Sequence, residues 1–138
     1  MTEATTIVEK SQETQAIVAA ALDYYEGWFD GEPERMERAL HSDLVTRSLA
    51  SDGRSVDTIS AREMVKATAD GIGRTRDPGS DRRDIEIHVD HVHGDIATVT
   101  VTSAVYVDYL QVVRTPEGWR IANVLWDRVA SAGLGREI

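Results

Sequence analysis

The chain has no cysteine, one phenylalanine and three prolines among its 138 residues. Without cysteine there are no disulfides, thiolate metal sites, thiol nucleophiles or iron–sulfur clusters. Basic residues are also scarce: 15 Lys and Arg stand against 24 Asp and Glu, a net charge of −9. That balance argues against nucleic acid or an anionic membrane as main partner, because both need a basic face to displace counterions. Long apolar runs are missing as well. The longest, Ala16 to Leu22, falls far short of the ~20 residues that span a bilayer. The opening Met1-Thr2-Glu3-Ala4-Thr5-Thr6 lacks the basic start and apolar stretch of a signal peptide. What remains is the expectation of one soluble, cytoplasmic domain with enough residues for a core.

Residues 1–12 are polar and read as a frayed lead-in, residues 13–130 as the domain and 131–138 as a tail. From Thr14 the apolar period becomes helical: Ile17, Ala21, Tyr24, Tyr25 and Trp28 form one stripe. Gly31 can end that helix and Pro33 can start the next, which runs to about Leu40. Leu44 to Leu49 reads as a strand. Ser60 and Glu63 have the capping-box spacing, and a third helix follows to about Ile72 with Met64, Val65, Thr68 and Ile72 inward. Arg74, Arg76, Arg82 and Arg83 then occupy a polar loop, expected to be solvated.

Beyond residue 84 the period drops to two. Ile85, Ile87 and Val89 alternate with polar residues, Gly94-Asp95 gives a hairpin signal, and Ala97, Val99 and Val101 alternate with threonines. Val105 to Val113 loses clean alternation, and Trp119 to Val129 makes the last strand. Helices followed by an antiparallel meander define an α+β domain, with three N-terminal helices on one face of a curved antiparallel sheet. Three helices cannot fill the whole concavity, so an interior pocket is expected.

A resemblance follows from particular stretches. Ala21 to Trp28 runs into Arg35 to Val45, and later come Gly94 to Ala97, Val107 to Arg114 and Gly118 to Trp126. Together these resemble the nuclear transport factor 2-like (SnoaL-like) superfamily, in its lumazine-binding branch, over residues ~14–128. The resemblance implies a cone-shaped α+β barrel with a pocket at its wide end, often a homodimer through the outer sheet face. Its relatives include ketosteroid isomerase, polyketide cyclases, limonene epoxide hydrolase, scytalone dehydratase and proteins without catalysis, so it does not fix a function.

Several residues could carry chemistry. Tyr24, Tyr25 and Trp28 lie on the inward side of the first helix, as pocket-lining donors or as core aromatics. His41 is a candidate general base or a structural helix-end histidine. Asp108 sits among Tyr106, Val107, Tyr109 and Leu110, an apolar setting that suits acid–base work. Strict alternation from Val99 turns it outward; a bulge between Ser103 and Val107 turns it inward. Asn123 falls in the row of Trp119, Ile121 and Leu125, expected on the core side, with Val124 and Trp126 opposite. His91 and His93 share a side and His88 the other, a poor arrangement for metal, so no metal and no cofactor are expected. Gly71-Ile72-Gly73 ends a helix and so is no phosphate loop, and no serine elbow is present.

Two functions compete. One is a cofactor-independent isomerase, dehydratase or cyclase, with His41 or Asp108 as base and Tyr24 or Tyr25 as donor. The other is a non-catalytic dimeric module for a small molecule or a protein. Its flat ligand would stack on Tyr24, Tyr25, Trp28 and Trp119 beside Met64 and Asn123, with Arg47 pairing a carboxylate. The first strand holds Arg47-Ser48 where the ketosteroid isomerase base would lie, so that particular mechanism does not carry over. Whether His41, Asp108 and a helix tyrosine converge on one cavity separates the two readings.

Overall fold

The computed structural model describes residues 2–129, with side chains from residue 12; the expected tail at 131–138 lies outside the described residues. Helix α1 (Thr2–Asp30) turns Ile17, Ala21, Tyr24, Tyr25, Trp28 and Phe29 into the core. Gly31 ends it with φ 69°. Pro33 opens α2 (Pro33–Ala39), where its missing N–H leaves no hydrogen bond unmade. Strand β1 (Leu40–Leu49) starts directly after it, earlier than the apolar pattern suggests, and pairs with β2 (Val56–Ser60). At α3 (Ala61–Ala69) both halves of the Ser60–Glu63 capping box form. The helix stops before Gly71 (φ 81°), so Ile72, expected inward, is exposed.

Strands β3 (Glu86–His93), β4 (Ile96–Thr102), β5 (Tyr106–Thr115) and β6 (Gly118–Arg128) form the antiparallel meander. The order across the sheet is β2-β1-β6-β5-β4-β3, and the curved sheet stays open, with β2 and β3 as its edges. It is mixed where an antiparallel sheet was expected: β1 and β6 run parallel. Period-two patterning sets which face a strand buries, but not which neighbour it finds. The helices pack on the concave face, and the core joins α1, α2 and α3 to β1, β4, β5 and β6.

Three interruptions of the ladder decide which side chains face inward. At Ser103 the chain turns: the Ser103 hydroxyl accepts from the N–H groups of Val105 (3.2 Å) and Tyr106 (2.9 Å). This hydroxyl turn, in place of a bulge, starts β5 with Tyr106, Asp108, Leu110 and Val112 buried. In β6, Gln111 pairs Asn123 and Val112 pairs Ile121, so Ala122 is an extra residue. Trp119 and Ile121 therefore face in, followed by Val124 and Trp126, while Asn123 and Leu125 face out. That reverses the row expected for Asn123 and Trp126. A second bulge at Asp90 brings His88 onto the outward side with His91 and His93.

Arg74 and Arg82 are exposed, as expected of a solvated loop, but Arg83 departs from that expectation and anchors the segment. Arg83 is buried, donates to Asp77 (2.9 and 2.8 Å) and to Asp30 (2.7 Å), and lies over the Phe29 ring at 5.2 Å. It ties the segment after α3 to the end of α1. Gly73 reinforces the tie, since a Cβ there would stand 2.1 Å from the Trp28 carbonyl oxygen. Only a residue without a side chain permits that approach.

Candidate functional site

Between α1, α3 and the inner face of the sheet lies an apolar slot. Its walls are Tyr24, Tyr25 and Trp28 of α1, Ile59 of β2, Met64 of α3, and Tyr106, Asp108 and Trp126 of β5 and β6. Its tight interior has a volume of about 30 Å³, within about 400 Å³ of atom-free space that includes the mouth. The aromatic walls brace one another. Tyr24 and Tyr25 meet edge to face at 5.8 Å, Tyr106 and Trp126 at 5.6 Å, and Phe29 stacks behind Tyr106 at 6.0 Å.

Asp108 is the one carboxylate in this wall. It is 3% exposed, and burial pushes its carboxyl up to about 7 from an ordinary 3.8. Hydrogen bonds from Tyr25 and Tyr24 favour the ionised form and offset part of that rise. The Tyr25 phenol donates to Asp108 Oδ1. Both helix phenols are driven well above their ordinary value, by burial first and by the nearby carboxylate second. Trp28 Nε1 donates to the Tyr106 hydroxyl at 3.2 Å. Tyr106 is raised too, by burial, while the Trp28 bond and the guanidinium groups of Arg128 and Arg76 pull it back. A carboxyl that titrates near neutrality, held by phenols in an apolar slot, can accept or return a proton under cellular conditions.

Of the residues singled out in the sequence, Tyr24, Tyr25, Trp28, Met64 and Asp108 meet at this slot. His41 does not: it lies on the outer side of the sheet, where its Nδ1 accepts from the Asp43 N–H at 3.0 Å. Arg47 and Asn123 also face outward, at 3.5 Å from one another, and Asn123 donates to Gln111 at 3.2 Å. Trp119 is buried at the far end of β6 beneath Arg114, outside the slot. Ile59, Tyr106 and Trp126 also line the slot and are not among the site residues the sequence singles out. Tyr106 follows from Asp108 by strand periodicity, being two residues earlier on the same face. Trp126 is hidden by the Ala122 bulge. Among the described residues no group of three or more His, Asp or Glu could hold a metal, and no helix is long and apolar enough to cross a membrane.

A cone of three helices on an open curved sheet, with its apolar slot, is the nuclear transport factor 2-like architecture. Residues 12–127 match the family model described as "Putative lumazine-binding", and the chain belongs to that family. Solved structures agree in fold. A protein of unknown function from Silicibacter pomeroyi, described as NTF-2 like, superposes with a TM-score of 0.69 at 19% identity, over 87% of this chain and 98% of that one. A ketosteroid isomerase-like protein from Erwinia carotovora atroseptica gives 0.54 at 16% identity, over 83% and 95%. A de novo designed protein with a curved β-sheet gives 0.55 at 13%, over 84% and 97%. Fold alone does not fix a function. No curated protein matches the chain.

Proposed function

We propose that the protein binds a flat, largely apolar small molecule in the slot and performs cofactor-independent proton transfer on it, as an isomerase, dehydratase or cyclase does. The observation that carries the reading is the Tyr25–Asp108 pair set into an aromatic wall. As carboxylate, Asp108 takes a proton from a carbon next to a ligand carbonyl; as carboxylic acid, it returns the proton to the same or a neighbouring carbon. Tyr25 and Tyr24 hold the carboxylate in place and stabilise it once formed. The family's name for lumazine, a flat heterocycle, supports a planar ligand. His41, Arg47, Asn123 and Trp119 have no part in this site, because the sheet or the core separates them from Asp108.

The working unit is a homodimer joined through the outer sheet face. Support comes from Leu125, Tyr109 and Leu49, which are 54%, 56% and 38% exposed on adjoining strands. An apolar band of that kind is the usual mark of a protein contact.

A generic ketone tests the chemistry without knowledge of the natural substrate. In D2O, the protein should accelerate deuterium uptake at the α-carbon of 1-indanone, followed by NMR. Asp108→Asn should abolish the acceleration while 1-indanone still raises the melting temperature. No acceleration by the wild type, or an undiminished rate in Asp108→Asn, would remove the catalytic reading.

A further inference from the structure

We infer that Tyr106 is the group that hydrogen-bonds the ligand, so that the slot selects flat ring compounds carrying a carbonyl or ring-nitrogen acceptor beside a transferable proton. The inference rests on the proposed ligand site and follows from an accounting of donors and acceptors. Asp108, when ionised, can only accept. Tyr25 gives its single proton to Asp108, and the Tyr24 hydroxyl lies beside the same carboxylate, whose charge drives the Tyr24 phenol further up after burial has done so. Trp28 has one N–H, and that points to Tyr106. Ile59, Met64 and Trp126 complete the wall. Ile59 and Met64 offer no donor, and the lone N–H of Trp126 belongs to a ring set edge-on against Tyr106.

Tyr106 differs from the helix phenols in one respect. Because an indole nitrogen can only donate, the Trp28 contact occupies the acceptor side of the Tyr106 oxygen and leaves its O–H uncommitted. Tyr106 donates to no other group among the described residues. Its ring is also fixed in place, stacked with Phe29 and braced edge-on by Trp126, so the free O–H has a defined direction. A hydroxyl that already accepts an N–H bond is a stronger donor in turn. The nearby guanidinium groups act in the same sense, easing partial negative charge onto the phenol oxygen.

Position supplies the rest. Tyr106 and Asp108 are alternate residues on one face of β5, about 7 Å apart along the strand. A ring compound of one or two rings bridges that span, with its acceptor at Tyr106 and its acidic C–H or N–H at Asp108. Hydrocarbons of the same shape would fill the slot but leave the Tyr106 proton unpaired, and such a loss discriminates strongly in a buried site.

The test compares 1-indanone with indane, which has the same carbon frame without the oxygen. Wild-type protein should bind 1-indanone about tenfold tighter than indane, by quenching of tryptophan fluorescence. The carbonyl stretch of bound 1-indanone should shift to lower frequency, as a hydrogen-bonded ketone does. Tyr106→Phe should bring the two affinities together and abolish the shift, whereas the same change at Tyr109 on the outer face, Tyr109→Phe, should retain both. An unshifted carbonyl in the wild type overturns the inference without any variant. A preference that survives in Tyr106→Phe also overturns it, and leaves the slot as an apolar binding site. If neither compound binds the wild type, the site reading fails, and the inference with it.

Discussion

The Tyr25 phenol donates its proton to Asp108, a carboxylate 83 positions away in the chain. The bond joins the first helix to a central strand inside the core. The pair is both a packing contact and the chemical centre of the slot, so its effects should be visible in stability as well as in turnover.

The first expected outcome concerns pH. Burial raises the folded-state value of Asp108 from 3.8 to about 7, so between those limits the folded protein holds a proton that the unfolded chain has lost. The stability tied to this group is therefore fully present below about pH 4, declines as pH rises, and is gone above about 7. The span amounts to about 4 kcal/mol. Asp77 and Asp23 act in the opposite sense: arginine hydrogen bonds hold both low, and their contribution is lost only in acid. Urea unfolding of the wild type and Asp108→Asn from pH 4.5 to 8.5 isolates the Asp108 part. The difference between the two proteins should shift steadily in favour of Asp108→Asn as pH rises, and a constant difference would contradict the assignment.

A second outcome concerns the clamp on the arginine loop. Arg83→Met removes a buried guanidinium from Asp77, Asp30 and the Phe29 ring. It should cost about 3 kcal/mol, because the partner carboxylates are left without compensation. Arg83→Lys should recover little, since an ammonium cannot fork to two carboxylates and lie flat on a ring. Denaturant midpoints at pH 7 decide it, and a loss below about 1 kcal/mol would mean the clamp contributes little net stability.

A third outcome concerns assembly. Tyr109 and Leu125 are paired neighbours on the outer face. Changing both to Glu should convert a dimer to a monomer in sedimentation velocity while 1-indanone binding persists. A wild type that sediments as a monomer would remove the dimer from the proposal.

Much of the architecture was legible in the sequence because it rests on local rules. The helical stripe of α1, the Ser60–Glu63 cap and the Gly94-Asp95 hairpin each appear where spacing places them. The site was half legible. Asp108 and the helix aromatics stood out by type and setting, yet the partners Tyr106 and Trp126 did not. Their facing depends on the Ser103 turn and the Ala122 bulge, which are single-residue events set by strand pairing. The same bulge moved Asn123 outside. The parallel β1–β6 pairing and the burial of Arg83 depend on segments that meet only in three dimensions, which periodicity does not record.

The spare residue at Ala122 has a consequence for the hollow itself. A bulge bends its strand and deepens the local twist. A version of β6 lacking Ala122 would alternate regularly and still turn Ile121, Val124 and Trp126 inward. The composition of the interior would survive while the arch that keeps it apart from the helices relaxed. Room for a guest therefore hangs on an alanine whose own methyl group lines none of it.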